Sequence, residues 1–190
     1  MDPRAEEVTH FWLDEVGEDG WYARDDARDT RIRERWLPLW EEARTGGLRD
    51  WRCSPRGTLA LCVVLDQFPR NMFRGDPRAF ASDPLARLYA KDAVLRRFDR
   101  RVPTPGRQFF YLPLTHSELL SDQDRSVRLT LVSFGRDSEV LRHAIAHREI
   151  IRRFGRFPFR NAALGRPSRP EEVAFLDAGG YSAALEKIPA

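Results

Sequence analysis

Polar side chains that can do chemistry interrupt the apolar stretches of this chain at several points. Eleven of them lie in or beside strongly apolar segments: Asp66, Gln67, Arg70, Asn71, His116, Glu118, Gln123, His147, Arg148, Arg160 and Asn161. Burying such a group without a partner is costly in free energy, so we expect these residues to converge on one another or on a ligand. Arginine beside amides suits a carboxylate or a phosphate, because the planar guanidinium donates two parallel hydrogen bonds.

These residues divide by the chemistry that each can supply. The candidates to hold an anionic group are Arg70, Arg148, Arg160 and Asn161, and those to orient the rest of a ligand are Gln67, Asn71 and Gln123. The candidates for proton transfer are Asp66, His116, Glu118 and His147. Together they predict a pocket for a small anionic molecule at the end of a central helix. The residues leave open whether a reaction follows binding.

Several candidates also have a structural interpretation. Asp66 and Arg70 can form a buried ion pair at the end of a helix, where the dipole disfavours an unpaired carboxylate. His147 falls on an apolar stripe, where a histidine is usually satisfied by one carbonyl or carboxylate. His116 stands at a predicted helix start, where the neutral imidazole is favoured over the protonated one.

Neither a metal nor a cofactor is indicated by the motifs. His143 precedes His147 by four residues, but no HExxH pattern is present and a zinc site needs a further ligand. The sequence also has no glycine-rich phosphate loop, GxSxG elbow, CxxC pair or dinucleotide fingerprint. We therefore predict no metal and name no cofactor.

The element that must position these groups is a helix predicted near residues 55–67. Ser54 followed by Pro55 is a typical helix start, and no polar side chain occurs from Leu59 to Leu65. A helix that is apolar on all sides is buried on all sides. Pro69 disfavours helical geometry behind it, so we expect this central helix to end or kink near Gln67 or Phe68.

The remaining periodicity is helical as well. Thr115 and Glu118 have the spacing of a capping box, which predicts a helix beginning near His116 with Gln123 in its apolar stripe. Further starts are predicted at Asp137 or Ser138 and at Ser168, the latter with Glu171 in the capping-box position. No β alternation appears, so we predict an all-α single domain over residues 1–190 with about seven to nine helices.

Composition favours a globular protein of the cytoplasm. The 190 residues are 42% hydrophobic and 32% charged, and no apolar run approaches the roughly 20 residues of a membrane span. The first residues lack the apolar region of a signal peptide, and two cysteines are too few for a disulfide framework. We predict reduced thiols, a cytoplasmic location and no membrane partner.

Positive charge is concentrated near the end of the chain. Eight arginines lie between Arg142 and Arg169, against Glu149 as the one acidic residue there. Nucleic acid could use such a charge, but the arginines beside Ile150 and Ile151 must partly serve packing, and interleaved exposed aromatics are missing. We rank nucleic-acid binding last among the functions considered.

Three segments carry a family resemblance: LALCVVLDQFPRNMFRGDPRAFASDPLA, FFYLPLTHSE followed by DQ, and AHREIIRRFGRFPFRNAALGRPSRPEE. Together with HFWLDEV and WY near the start, they resemble the bacterial family catalogued as domain of unknown function 924. The resemblance implies an all-helical, tetratricopeptide-like array of stacked hairpins with no established activity. Two departures are Phe159, where the family usually has histidine, and Thr115, where it commonly has an apolar residue.

A second class of function remains beside the anion pocket. Stacked helical hairpins often present a face to a peptide, and the polar cluster would then only lock helices together. The sequence does not distinguish oligomeric states.

Overall fold

The computed structural model describes residues 2–189, and these residues form helices and connecting turns with no strand among them. The α-helices are α1 Pro3–His10, α2 Gly17–Trp21, α3 Asp26–Arg44, α4 Pro55–Cys62, α5 Phe68–Met72, α6 Asp83–Leu95, α7 Leu112–Thr115, α8 Leu120–Phe134, α9 Glu139–Phe154, α10 Pro170–Asp177 and α11 Gly180–Glu186. The predicted all-α class is confirmed. Within the described residues, no helix combines the length and apolar character needed to cross a membrane.

The chain falls into two compact units, Met1–Pro113 and Leu114–Ala190, and each is described by itself. The single domain and the tetratricopeptide-like stacking remain predictions. Two π-helical turns, Phe11–Val16 and Val63–Gln67, join α1 to α2 and α4 to α5 in the first unit. Its 3-10 turns are Arg49–Cys53, Pro77–Phe80, Asp99–Arg101 and Gly106–Phe110. The second unit has one, Pro158–Arg160.

The central helix begins as the sequence predicts. The Ser54 hydroxyl accepts a hydrogen bond from the Gly57 N–H at 3.0 Å, and Pro55 occupies the first helical position. Every residue from Leu59 to Leu65 is at most 2% exposed. Burial on all sides is therefore confirmed for residues 59–65, although Arg56 in the first turn of α4 is exposed.

Of the two predicted alternatives, an end of the helix near Gln67 or Phe68 is wrong, because the chain stays helical through Pro69 to Met72, and a kink there stays a prediction. A π turn lies directly before the proline, and such a turn widens the backbone locally. Proline has no N–H, so the Leu65 carbonyl four residues earlier loses its α-helical donor. The Ser82 hydroxyl donates to that carbonyl at 2.6 Å and accepts from Trp40 Nε1 at 2.9 Å. This buried chain of hydrogen bonds lets the helix continue.

Aromatic side chains fix the first unit around Phe68. The Phe68 ring centroid lies 5.7 Å from those of both Trp12 and Trp36 and 6.1 Å from that of Phe11. Edge-on and offset arrangements of this kind add to the free energy of apolar burial. The helix end that carries Asp66 and Arg70 is thus held rigidly.

The second unit packs α8 and α11 against α9. Its apolar core is formed by Ile150, Ile151, Phe154, Phe157 and Phe175. As predicted, Ser138 caps α9 and Gly155 ends it in the left-handed conformation. The last cap differs from the prediction by one residue, since Arg169 is the N-cap of α10 and Glu172 takes the capping-box position.

The buried face of α8 is polar, although an apolar stripe was predicted there. Asp122, Gln123, Ser126 and Thr130 are buried, whereas Leu120 and Leu131 are 44% and 36% exposed. The polar face faces the preceding segment, where the Ser126 and Thr115 hydroxyl oxygens lie 2.6 Å apart. Burial of Gln123 is confirmed, but hydrogen bonding to that segment decides which face is covered.

Candidate functional site

The predicted site residues fall into two groups, one in each unit. Those of the first unit are Asp66, Gln67, Arg70 and Asn71, and those of the second are His116, Glu118, Gln123, His147, Arg148, Arg160 and Asn161. Their convergence on one ligand stays a prediction.

Arg70 organises the group in the first unit. Its guanidinium donates to the Asp66 carbonyl at 2.7 Å, lies 3.2 Å from the Asp66 carboxylate and donates to both Asp83 oxygens at 2.8 and 2.9 Å. Burial works against the charged guanidinium, but the two carboxylates outweigh it, so the pKa of Arg70 is raised. The buried ion pair weighed as a structural alternative is present. Asp83 was missed, because it lies in the cap region of the next helix.

The side-chain amides of Gln67 and Asn71, beside Arg70, form hydrogen bonds to close neighbours. Gln67 Nε2 donates to the Asp66 carboxylate at 2.5 Å, and Asn71 Nδ2 donates to the Gln67 carbonyl at 2.9 Å. Asn71 Oδ1 accepts from Arg74 at 3.0 Å. These hydrogen bonds link the residues that precede and follow Pro69, so the group stabilises the end of the central helix.

His147 is the central group of the second unit. Its Nδ1 lies 2.8 Å from the His143 carbonyl, which can only accept, so Nδ1 carries the proton and Nε2 the lone pair. Burial above all, together with the nearby His116 and Arg160, lowers the pKa of His147 to about 3, against the opposite effect of that hydrogen bond. Nε2 has no hydrogen-bond partner among residues 2–189. At pH 7 His147 is therefore an uncharged imidazole whose Nε2 can accept a proton.

His116 and Tyr181 lie against the His147 ring. The His116 and His147 ring centroids are 5.8 Å apart, and those of Tyr181 and His147 are 4.8 Å apart. The Tyr181 hydroxyl lies 2.6 Å from His143 Nδ1 and 3.3 Å from His147 Nδ1. Burial raises the pKa of Tyr181 and lowers that of His143, so both stay neutral at pH 7. Sequence reasoning missed Tyr181, whose short helix follows two glycines without a cap signal.

The predicted capping box at Glu118 is wrong, because α8 begins only at Leu120. The Glu118 carboxylate instead accepts from the Phe157 N–H at 2.8 Å and from both Arg166 terminal nitrogens at 2.8 and 3.0 Å. Burial raises its pKa, but Arg166 and the Phe157 N–H outweigh this, so the pKa of Glu118 is lowered. Glu118 is therefore an ionised anchor that fixes the segment carrying His116.

Gln123 fixes the same segment from the other side. Its Nε2 donates to the carbonyls of Thr115 and Ser117, both at 2.6 Å, so it brackets His116 along the chain. The side chain is fully buried, and Oε1 has no partner among the residues that the structure describes. Gln123 thus has a positioning role through backbone carbonyls.

Arg160 is a buried cation whose charge acts on these groups. Its guanidinium carbon lies 4.5 Å from the Phe157 ring centroid, and the residue is 6% exposed. Its positive charge lowers the pKa of both His147 and Glu118. His116, His147, Arg160 and the Glu118 anchor therefore lie in one neighbourhood of the second unit, which we call the histidine cluster together with Tyr181.

Arg148 and Asn161 bond to neighbouring side chains, and Arg166, which pairs with Glu118, donates through Nε to Asn161 Oδ1 at 3.0 Å. Arg148 donates to Glu149 at 3.1 Å, and Asn161 Nδ2 donates to Glu172 at 3.1 Å. Glu172, fully buried and missed by sequence reasoning, also accepts from Arg156 at 2.6 and 2.7 Å. Arg156 above all lowers the pKa of Glu172 to about 2. No group of three metal-ligating side chains occurs anywhere in residues 2–189.

A family model described as bacterial protein of unknown function (DUF924) matches residues 8–180. The chain belongs to the DUF924 family. A solved structure of a protein of unknown function from Agrobacterium tumefaciens is 39% identical, with a TM-score of 0.88, and the match covers 93% of this chain and 98% of that chain. None of the curated proteins compared matches. The resemblance inferred from the three segments is confirmed.

Phe159, the departure from the DUF924 pattern, lies at the edge of the histidine cluster. Its ring stacks on Phe157 with the centroids 5.2 Å apart and meets Tyr181 edge-on at 6.1 Å. The side chain is 42% exposed. In this chain the position therefore offers an apolar surface where an imidazole would offer a third titratable ring.

Proposed function

We propose that this DUF924 protein binds a small anionic metabolite, a carboxylate or a phosphate, at the histidine cluster. The observation that carries the proposal is the neutral His147, whose Nε2 has no hydrogen-bond partner among residues 2–189 and whose ring centroid lies 5.8 Å from that of His116, with the charge of Arg160 near enough to lower its pKa. A buried guanidinium stabilises an anion strongly, and a neutral imidazole can share or accept a proton from it. In this scheme Arg160 holds the charge and His147 performs acid–base work.

Anion binding would also change the chemistry of His147. A base with a pKa of about 3 is too weak for efficient proton transfer at pH 7. A negative charge placed beside the imidazole favours its protonated form, so a bound anion raises the pKa towards neutrality. The bound anion would thus raise the pKa of His147 towards the range in which its imidazole transfers protons efficiently at pH 7.

The test is a thermal-shift titration of the purified protein with a panel of carboxylates and phosphates at pH 7. A true ligand raises the melting temperature with concentration, because it binds the folded state alone. His147→Gln should abolish the shift, whereas His10→Gln, at an exposed histidine of the first unit, should leave it unchanged. Stabilisation by no member of the panel, or equal stabilisation of the His147→Gln variant, would contradict the proposal.

An interaction module is the second candidate, and the first-unit group favours it. Asp66, Gln67, Arg70 and Asn71 bond to one another and to close neighbours, as groups that lock helices together do. In this alternative Arg70→Ala lowers the melting temperature, and no anion shifts that of the parent protein.

The free cysteines at positions 53 and 62 support a location in the cytoplasm, where thiols are kept reduced.

A further inference from the structure

A half-open pocket of about 440 Å³ lies within the second unit, among α9, α10 and α11. Its floor is formed by Ile150, Phe154 and Phe175, which belong to the apolar core of that unit. The walls are short side chains together with one isoleucine: Ala174, Ala178, Ala183, Ala184 and Ile188. Alanine side chains end at Cβ, so they leave open the space that larger residues would fill.

Two cations border this apolar floor. Arg153 stacks on it, with its guanidinium carbon 4.6 Å from the Phe154 ring centroid and 5.8 Å from that of Phe175, and Lys187 lines the same pocket. Neither has a carboxylate within ion-pair distance among residues 2–189. Glu149, the acidic residue of the lining, is paired with Arg148 at 3.1 Å and with Arg152 at 3.5 Å. Within the part of the chain that the structure describes, the rim therefore carries two cations without a carboxylate partner.

We propose that this pocket binds an aliphatic carboxylate of medium chain length. The chain lies on Ile150, Phe154 and Phe175, and the carboxylate meets Arg153 and Lys187. Pockets of roughly 300–1,000 Å³ commonly hold small organic ligands, and apolar linings with a few charged groups fix their orientation. The floor gives a small inorganic anion nothing to pack against, and the cations repel a positively charged amphiphile.

This inference is independent of the histidine cluster. It uses other residues, and it requires an aliphatic chain on the carboxylate, which the histidine cluster does not, so either proposal can fail while the other holds. The separation is testable, because His147→Gln should leave the binding of an aliphatic carboxylate unchanged.

Isothermal titration at pH 7 with decanoate, kept below its micelle concentration, tests the proposal. Decanoate should bind at one site. Octanoate and hexanoate should bind more weakly, with the dissociation constant rising about fourfold for each methylene removed. Decyltrimethylammonium has a chain of the same length and the opposite charge, and it should not bind. Equal binding of the two amphiphiles would show unspecific apolar contact and overturn the proposal.

Variants then locate the site. Arg153→Gln should weaken decanoate binding roughly tenfold, since it removes a charge-assisted contact. Arg136→Gln is the control, because Arg136 is an exposed arginine of the second unit outside the lining, and the affinity of this variant should equal that of the parent.

Ala174→Trp tests the location of the site without changing its charge. Ala174 lines the pocket from an exposed position on α10, so the indole should fill the pocket and abolish decanoate binding. Circular dichroism and melting temperature confirm that each variant is folded. Decanoate binding unchanged by both Arg153→Gln and Ala174→Trp would overturn the proposal. So would a concentration-dependent dimer that Ala174→Trp disrupts, since a second copy would then be the occupant.

Discussion

At the scale of single residues, burial decides which polar groups are charged. Glu118 and Glu172 stay ionised in the second unit because each accepts hydrogen bonds from an arginine. The hydrogen bond from His147 to the His143 carbonyl offsets only part of the desolvation of an imidazolium, and the neighbouring His116 and Arg160 also disfavour that charge. The same physical rule thus gives charged anchors and one neutral base within the unit.

The depressed pKa of His147 predicts how stability depends on pH. The folded state has a pKa of about 3 and the unfolded state about 6.5, so the unfolded chain binds more protons between these values. Stability conferred by the neutral imidazole is present above pH 6.5 and is lost as the pH falls towards 3. Between pH 7 and 5 we expect a loss of about 1–2 kcal/mol in the free energy of unfolding.

Urea unfolding of the parent and of His147→Gln at both pH values measures this effect. The variant should lose less stability on acidification, although His143, whose pKa is also lowered by burial, keeps part of the slope. The carboxylates with lowered pKa values titrate mainly below this window. An identical slope in the two proteins would show that folding does not lower the pKa of His147.

At the scale of elements, Pro69 and Ser82 work as a pair. The proline leaves the Leu65 carbonyl without its α-helical donor, and a hydroxyl from the cap of α6 replaces that donor. A helix thus passes through a proline, because a residue 17 positions from Leu65 supplies the missing bond. The two substitutions should therefore be coupled.

We expect Ser82→Ala to lower the free energy of unfolding by about 1–3 kcal/mol, since a buried carbonyl and the Trp40 N–H lose their partner. In a Pro69→Ala background the restored backbone N–H takes over the carbonyl, and the cost should fall by about 1 kcal/mol. A double-mutant cycle by urea denaturation measures the coupling. If the effects of the two substitutions add within about 0.5 kcal/mol, Pro69 and Ser82 are not coupled and the prediction is contradicted.

At the scale of the whole molecule, the chain provides separate reporters for its two units. All five tryptophans lie in Met1–Pro113, whereas three of the four histidines lie in Leu114–Ala190. Tryptophan fluorescence therefore follows the first unit, and the ring resonances of His116, His143 and His147 follow the second. This division makes the single-domain prediction testable.

A single cooperative domain predicts that the two signals have the same urea midpoint. Two-state unfolding requires that different probes report one transition. The His10 resonance is a control, because it lies in the first unit and should follow the tryptophan signal. Distinct midpoints for the two sets of probes would establish two domains.

Local sequence determined the helical class, the start of the central helix and its burial, and the caps at Ser54 and Ser138. These features depend on neighbours a few positions apart, which a linear pattern records. It also singled out His147 as a buried group, because an apolar stripe is visible in the sequence.

Tertiary structure alone decided which partner each polar group has. Thr115 and Glu118 fit a capping box by spacing, yet Arg166 and the Phe157 N–H take the carboxylate from 48 and 39 positions away. Ser82 allows the helix to pass Pro69, and Tyr181 reaches His147 from 34 positions away. Hydrogen-bond partners so distant in sequence leave no periodic signal, because their meeting depends on how helices pack rather than on local propensity.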